Sequence, residues 1–343
     1  MDSAFIIEKS VFIVTIFAIT MVMAMYSTWA ERKVAAFLQD RVGPNRAGWG
    51  GLLQPLADGM KLFAKEEFAP NTPNKFLFFV GPAIAMSTAL MTSAVIPWGD
   101  KLHIFGHDVV LQATDIDVSL LYIFGVVSVG VYGIMIGGWA SNNKFSLMGA
   151  VRAASQMVSY EVAMGLSIIA LVMMTGTLSL KEVSMQQSGM HWNVFYQPVG
   201  FLIFLICAFA ETNRTPFDLA ECESELIGGY HTEYSSMKMG FYLFAEYANM
   251  FISSTIIAVL YFGGYNYPGM HWMVENAGVN AANILGIGVL FIKICFFIFF
   301  YMWVRWTIPR FRYDQLMNLG WKILIPLSII NIIITGICIL AFK

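Results

Sequence analysis

The chain has 343 residues, of which 58% are hydrophobic and only 12% are charged, and its formal net charge is −2. Soluble domains carry about twice that charged fraction, so the composition excludes a soluble globule and predicts an integral membrane protein. Neither the net charge nor any basic run indicates nucleic acid as a partner. The four cysteines are scattered and do not indicate a zinc or iron–sulfur site, because such sites need clustered thiolates.

A helix that spans a membrane needs about 20 mainly apolar residues. By this criterion the sequence predicts an all-α, polytopic integral membrane protein in which residues 1–343 form one transmembrane domain. About eight spans are expected, near residues 8–30, 75–97, 116–139, 152–175, 195–212, 239–263, 283–304 and 321–342. The first of them is too long for the core of a signal peptide, so we expect it to be retained.

The distribution of lysine and arginine predicts the orientation. Most of these residues fall in loops on one side of the predicted spans, the side that carries residues 31–74 and 213–238. The positive-inside rule therefore places both loops in the cytoplasm and both termini on the outer side. Acidic residues count little in that rule, so the second loop can be cytoplasmic although it is acidic.

Residues 50–68 of the first cytoplasmic loop have helical periodicity. Their apolar members fall on one face, at Leu52, Leu53, Leu56, Met60, Phe63 and Ala64. Asp58, Lys61 and Lys65 lie on the opposite face, and Pro55 suits a first helical turn. The pattern predicts an amphipathic helix on the membrane surface, and the alternative is a helix that only packs against the protein.

Three charged residues lie well inside predicted spans rather than near their ends, namely Glu161, Glu246 and Lys293. Each costs at least about 2.5–3.5 kcal/mol to insert, so such residues serve either a structural ion pair or a path for protons or ions. The stretch 210–234 then adds six acids and a single cation, Arg214. The acids are Glu211, Asp218, Glu221, Glu223, Glu225 and Glu233.

Pro216 is expected to interrupt the fifth helix near Thr215, because proline disfavours helix at the preceding residue. If a helix re-forms over residues 217–226, Glu221 and Glu225 share one face and Glu223 points the other way. Neighbouring carboxylates of this kind titrate as a coupled set and can hold protons near neutral pH. The alternative is an acidic loop in water.

The residues alone leave two classes of function open. One is a proton-coupled transporter that works by itself, and the other is a membrane subunit of a larger proton-moving machine. The isolated His231 does not indicate a metal site, since ligation needs several partners. The sequence shows no phosphate loop and no Ser-His-Asp constellation.

Three stretches resemble one known family. They are AERKVAAFLQDRVGPNRAGWGGLLQPLADGMKLFAKE (residues 30–66), AETNRTPFDLAECESE (210–225) and WVRWTIPRFRYDQLM (303–317). Together they resemble the quinone-site membrane subunit of proton-pumping NADH:quinone oxidoreductase, respiratory complex I. The resemblance covers essentially the whole chain, including SYEVAM around Glu161 and FLFAEYANM around Glu246. Membrane-bound hydrogenases carry a looser version of this subunit, which remains an alternative.

The resemblance implies a tunnel that admits a quinone, either ubiquinone or menaquinone, from the bilayer to the hydrophilic subunits. The positions that match the tunnel and its mouth are Arg32, Arg41, Asp58, Phe217, Asp218 and Arg305. It also implies an acidic path that couples quinone reduction to proton translocation. The positions that match this path are Glu161, Glu211, Glu221, Glu223, Glu225 and Glu246.

The resemblance further implies the setting in which the chain works. FMN and the iron–sulfur clusters are expected in partner subunits, and this chain alone is expected to bind no metal and no cofactor. The expected partners are the other complex I subunits and membrane lipid, in a bacterial inner membrane, without a homo-oligomer. Lys293 and Cys222 receive no role from the resemblance.

Overall fold

A computed structural model describes residues 3–70, 74–104 and 107–342 of the chain. In chain order its helices are α1 (Ser3–Leu38), α2 (Gln54–Ala64), α3 (Lys75–Ser93), α4 (Ser119–Ala140), α5 (Lys144–Thr175), α6 (Leu180–Gln186), α7 (Asn193–Tyr196), α8 (Pro198–Glu211), α9 (Glu223–Leu226), α10 (Ser236–Tyr261), α11 (Met270–Ala277), α12 (Val279–Thr307), α13 (Tyr313–Asn318) and α14 (Ile325–Phe342). A small antiparallel hairpin of β1 (Lys101–Ile104) and β2 (His107–Val110) lies between α3 and α4. The predicted all-α membrane fold is confirmed.

Within the described residues, seven helical segments are long and apolar enough to cross a membrane. They are α1, α3, α4, α5, α10, α12 and the continuous segment Tyr313–Ala341, in which a π-helical stretch joins α13 to α14. Of the fifth predicted span, 195–212, the helix α8 takes up only 14 residues. A helix of that length reaches about 21 Å, less than the roughly 30 Å of hydrocarbon. The expected count of eight full spans is therefore not confirmed.

The start of α8 explains its shortness. Gln197 has non-helical backbone angles (φ −130°, ψ 56°), and Pro198 then begins the helix. Proline has no backbone N–H and suits a first turn, but it cannot extend a helix from the preceding segment. At the other end the helix stops at Glu211, one residue before the predicted end of the span at 212.

Helix α10 is the most enclosed of the membrane segments, and it packs against α1, α3 and α12. Small residues let α3 and α4 approach each other closely beside it. A Cβ on Gly133 of α4 would lie 2.8 Å from the backbone nitrogen of Ala85 on α3. Close helix contacts of this type are typical of membrane proteins, because small residues let the backbones approach. Polar groups on α10 are therefore held away from lipid.

The predicted amphipathic helix is present as α2, with Pro55 in its first turn. Leu56, Met60 and Phe63 remain exposed, with 48%, 72% and 73% of their surface accessible. A helix that only packs against the protein would bury these side chains. Their exposure is what a helix on the membrane surface requires.

The predicted helix over residues 217–226 is wrong. Only Glu223–Leu226 forms a helical turn, and Glu221 precedes it, so Glu221 and Glu225 share no helical face. The side-chain amide of Gln156 on α5 explains the difference, since its Nε2 donates to the carbonyls of Ala210 and Phe217, both at 2.8 Å. These bonds hold the chain after α8 in an irregular loop.

Candidate functional site

A buried network of charges surrounds Arg214, which lies three residues after α8. Its side chain is only 7% exposed. The guanidinium Nη1 lies 3.8 Å from Oε2 of Glu31, and Nη2 lies 3.3 Å from Oε2 of Glu246. Its Cζ atom sits 4.2 Å from the centre of the Tyr247 ring. Burial alone would lower the pKa of Arg214, but Tyr247 and the surrounding carboxylates raise it above its ordinary value.

Glu31 connects this network to α12. Its Oε1 lies 2.5 Å from Nη1 of Arg305, and Tyr247 donates a 2.9 Å hydrogen bond to its Oε2. Glu31 is 6% exposed and stays within α1, which extends to Leu38. Glu31 was not among the predicted site residues, because the first span was expected to end near residue 30. An acid directly before two cations, in AERK, is the signal that could have revealed it.

Glu246 lies in the middle of α10 and is 9% exposed. The hydroxyl of Tyr230 donates a 2.8 Å hydrogen bond to its Oε1, while Arg214 faces its Oε2. The two oxygens of one carboxylate thus contact a neutral donor and a cation. Tyr230 is almost fully buried and was not identified from the sequence.

A cavity of about 70 Å³ lies among α3, α4, α5, α8 and α10. Glu211 and Glu246 both line it, together with Asn213, Asn249 and mainly apolar side chains. Within the described residues, Oε2 of Glu211 is buried without a hydrogen-bond partner. The cavity therefore joins two of the acids that the sequence analysis assigned to the proton path.

Phe217 and Asp218 lie together beside this network, in the loop after α8. Phe217 packs edge-on against Tyr160, with ring centres 5.3 Å apart. Asp218 is 3% exposed and faces Arg310, whose Nη2 is 2.9 Å from Oδ2. Burial raises the pKa of Asp218 to about 6, Glu221 adds to the rise, and Arg310 with its neighbouring cations opposes it.

The structure separates the other four expected tunnel residues. Arg32 on α1 forms a 2.7 Å ion pair with Asp58 on α2, which ties the surface helix to the first span. Arg305 contacts Glu31 in the buried network. Arg41 stays exposed and donates to Gln39 at 2.7 Å, so the structure does not bring it to the buried charges.

The remaining acids of the expected path separate into different surroundings. Glu161 on α5 accepts a short hydrogen bond from Ser128 on α4. Glu221 lies 4.0 Å from His231. Glu225 has a side chain that is 55% exposed, and it pairs with Arg152 at 2.5 Å. The side chain of Glu223 lies outside the described residues.

Lys293 is bound at the C-terminal end of α10, about four turns beyond Glu246. Its ammonium group donates to three backbone carbonyls, those of Phe262, Gly264 and Asn266, at 2.7, 2.8 and 2.8 Å. Phe262 caps the C-terminus of α10, where the helix dipole favours a cation. Through these three hydrogen bonds the Lys293 side chain holds the loop after α10 in place.

Across residues 3–70, 74–104 and 107–342, no group of three or more His, Cys, Asp or Glu side chains is arranged to hold a metal ion. The chemistry that the described site offers is therefore that of carboxylates, guanidinium groups and hydroxyls. Such groups bind polar ligands, hold protons and pass them on.

Comparison of the sequence with known proteins identifies the family of this chain. The sequence profile of the NADH dehydrogenase family matches residues 11–336. The H subunit of NADH-quinone oxidoreductase from Flavobacterium psychrophilum is 88% identical over 343 residues, which is all of both chains. The corresponding proteins of Flavobacterium johnsoniae and Cytophaga hutchinsonii are 86% and 66% identical, and each alignment covers at least 97% of both chains. The chain therefore belongs to the NADH dehydrogenase family, within its group of NADH-quinone oxidoreductase H subunits.

Proposed function

We propose that the chain is the quinone-site membrane subunit of a proton-pumping NADH:quinone oxidoreductase. In this proposal it contributes the wall of a quinone tunnel and the first part of an acidic path into the membrane. The relatives are named as the H subunit of that enzyme, and they align with this chain over nearly their full length. This supports the assignment over a hydrogenase subunit or a transporter that works alone.

One structural observation carries the mechanistic part of the proposal. Arg214 lies within ion-pair distance of both Glu31 and Glu246. Glu31 in turn contacts Arg305, a residue of the proposed tunnel, while Glu246 belongs to the proposed proton path. Because these charges share one desolvated network, a change of charge on the tunnel side alters the proton affinity of the acid on the path.

On the tunnel side, the proposed wall runs from the surface helix to the charged network. Arg32 and Asp58 stand at the mouth, where their 2.7 Å pair joins α1 to α2. Phe217 and Asp218 lie further in, where an apolar ring and a buried carboxylate adjoin each other. An apolar passage with a few polar groups suits a substrate with a long apolar tail and a polar headgroup.

On the membrane side, the proposed path uses the cavity between Glu211 and Glu246. Glu161, Glu221, Glu223 and Glu225 complete the set. Glu225 is the most exposed of the described members and is neutralised by Arg152, so it stands at the surface end. A proton that leaves the quinone region can move from acid to acid along such a set.

The electron carriers, FMN and iron–sulfur clusters, belong in this proposal to partner subunits, and quinone is the substrate. The quinone is ubiquinone or menaquinone. The chain sits in a bacterial inner membrane as one transmembrane domain, beside other complex I subunits and lipid. Both of its termini face the periplasm, and it forms no homo-oligomer.

The experiment compares single variants in the assembled complex. Glu211→Gln and Glu246→Gln are expected to reduce quinone-coupled NADH oxidation by on the order of 100-fold, because both acids line the buried cavity. NADH oxidation by an artificial acceptor that takes electrons from the peripheral arm is expected to persist. Glu182→Gln, in α6 at the other face, is the matched control with normal activity.

Unchanged coupled activity and unchanged proton pumping in both cavity variants would remove the proton-path assignment. The purified chain alone, reconstituted in vesicles, is expected to carry no ion, and transport by the isolated chain would favour the transporter instead. Reduction of protons by a nickel-containing partner that co-purifies with the chain would favour the hydrogenase subunit.

A further inference from the structure

A long apolar groove runs along the surface of the bundle between α1 and α12. It consists of two adjoining cavities, of about 220 and 500 Å³, which share Val34 of α1 and Phe299 of α12. Apolar side chains form nearly all of its surface. The hydroxyl of Ser27, one of its few polar groups, already donates to the carbonyl of Met23 at 2.7 Å. The groove therefore offers an apolar contact surface between two helices that are long enough to cross the membrane.

The length of the groove matches the thickness of one leaflet of a bilayer. On α1 the groove extends from Met23 to Leu38, a rise of about 22 Å at 1.5 Å per residue. A bilayer with its headgroup regions is about 40–45 Å thick, so one leaflet takes up about half of that. A transmembrane helix of a partner would cover both leaflets, whereas the groove covers only the half nearer to α2. Its length therefore suits a lipid molecule.

The end of the groove nearer to α2 carries a cation, Lys33, beside Phe37 and Trp303. A Cβ on Gly43 would lie 3.2 Å from Cδ of Lys33, so the loop after α1 packs against the stem of this side chain and holds it at the groove. Phe37 and Trp303 are exposed. Since tryptophan is enriched at the depth of the lipid headgroups, this end of the groove lies at headgroup depth with a positive charge on its wall.

Lys33 lacks the acidic partner that neighbouring cations have. Arg32 pairs with Asp58, and Arg305 pairs with Glu31. Among residues 3–70, 74–104 and 107–342, no carboxylate forms an ion pair with Lys33. An ammonium group at headgroup depth without a protein carboxylate is complementary in charge to a lipid phosphate.

The groove is separate from the proposed mouth of the quinone tunnel. Arg32 faces α2 through its pair with Asp58, and Lys33 lies about 100° further round α1. Val34 continues this turn towards α12. A quinone that enters at the mouth therefore does not pass through the groove.

We propose that the groove between α1 and α12 binds one anionic glycerophospholipid, with an acyl chain along Val34 and Phe299 and its phosphate at the ammonium group of Lys33. A zwitterionic lipid suits the site less well, because it carries a cation of its own next to the phosphate. The bound lipid fills the space between the two helices whose Glu31 and Arg305 lie 2.5 Å apart, so it supports their contact. The inference needs only that both helices span the membrane, and it does not depend on the quinone tunnel or the proton path.

The test uses a phosphatidylglycerol with a photoreactive diazirine in one acyl chain. The assembled complex is washed with detergent to remove bulk lipid, the probe is added in increasing amounts, and crosslinked peptides are identified by mass spectrometry. A diacylglycerol and a quinone with the same diazirine in the apolar chain are the comparison probes, because neither has a phosphate. Phosphatidylglycerol is expected to give saturable adducts on residues 23–38 and 295–303, and the comparison probes far fewer.

Lys33→Gln is expected to reduce these adducts about fivefold at a probe concentration below saturation, since one cation near a lipid phosphate strengthens binding by about that factor. Lys33→Arg keeps the charge and is expected to be labelled like the parent. Lys322→Gln is the matched control, because Lys322 is an exposed lysine near the beginning of the last span, outside the groove. If Lys33→Gln fails to assemble, Ala30→Phe fills the groove instead and is expected to abolish the adducts.

Three outcomes would overturn the proposal. Equal labelling by phosphatidylglycerol and diacylglycerol, or unchanged labelling in Lys33→Gln, would show that the phosphate contributes nothing. Preferential labelling by the quinone probe would identify the groove as a second passage for quinone. No adduct on residues 23–38 with any probe would show that a partner subunit covers the groove. Each of these outcomes leaves the proposed roles of Glu211 and Glu246 unchanged.

Discussion

Nη2 of Arg214 and Oε2 of Glu246 lie 3.3 Å apart, in a position where the two side chains are 7% and 11% exposed. This pair joins the loop after α8 to the middle of α10. Taking charges out of water is costly, and mutual attraction offsets that cost only where partners are close. The pair therefore acts as a structural bridge and as an electrostatic link between the two parts of the proposed site.

Arg214→Gln is expected to leave the carboxylates of Glu31 and Glu246 without their shared cation. Removing one partner of a buried pair costs about 3–5 kcal/mol, so little of the subunit should reach the assembled complex. The amount of complex in membranes, measured on native gels, checks this outcome. Arg312→Gln is the control, because the side chains of Arg312 and its partner Asp314 are 74% and 62% exposed.

A double variant distinguishes the effect of unbalanced charge from the effect of losing the Arg214 side chain itself. In the double variant Arg214→Gln and Glu246→Gln, one carboxylate is neutral as well, so assembly is expected to recover in part. The recovered complex should still fail in quinone-coupled activity, since Glu246 no longer titrates. Equal amounts of complex in the single and double variants would contradict the electrostatic explanation.

Glu31→Gln is expected to keep the hydrogen bond from Tyr247 but to remove the charge that balances Arg305 and Arg214. We expect a higher KM for quinone and a coupled rate about tenfold lower, with normal oxidation of NADH by an artificial acceptor. Steady-state kinetics with a short-chain quinone measures both. Glu8→Gln, about 35 Å away along the same helix, is expected to leave them unchanged.

Asp218 is expected to make stability depend on pH. Its ordinary pKa is 3.8 and burial raises it to about 6, so the folded state favours the protonated form. The stabilisation by that proton is complete below about pH 4 and is lost as the pH rises from about 4 to 6. Its size is at most about 3 kcal/mol, since one pKa unit corresponds to about 1.4 kcal/mol.

Asp218→Asn should therefore flatten the change in thermal inactivation temperature of the complex across that pH interval. Asp115→Asn is the control, because Asp115 has a half-exposed side chain that pairs with Lys181 at the other face. The same slope in the parent and in Asp218→Asn would show that Asp218 does not cause it.

Lys293→Met is expected to destabilise the complex, because three backbone carbonyls lose their donor. Buried carbonyls without a partner cost about 1–3 kcal/mol each, so the inactivation temperature should fall. The complex that still assembles should pump the normal number of protons per electron. A changed proton-to-electron ratio would instead place Lys293 on an ion path.

The amphipathic helix and the acidic stretch show what a local sequence pattern can predict and what it cannot. Periodicity predicted α2 correctly, because a surface helix obtains its register from its own apolar face. The same reasoning failed after Pro216, where Glu221 and Glu225 were expected on one helical face. There the side-chain amide of Gln156, which is distant in sequence, donates hydrogen bonds to the carbonyls of Ala210 and Phe217. The spacing of residues in the sequence does not indicate such a contact.

Composition and hydropathy by themselves determined that the chain is a helical membrane protein, because lipid requires every backbone polar group to be satisfied within a helix. Motif resemblance determined its family, and the comparisons confirm it. Only the tertiary structure decided which charges meet. Glu31, Arg214, Glu246 and Arg305 come from three helices and a loop, and they converge because the low-dielectric interior forces buried charges to pair.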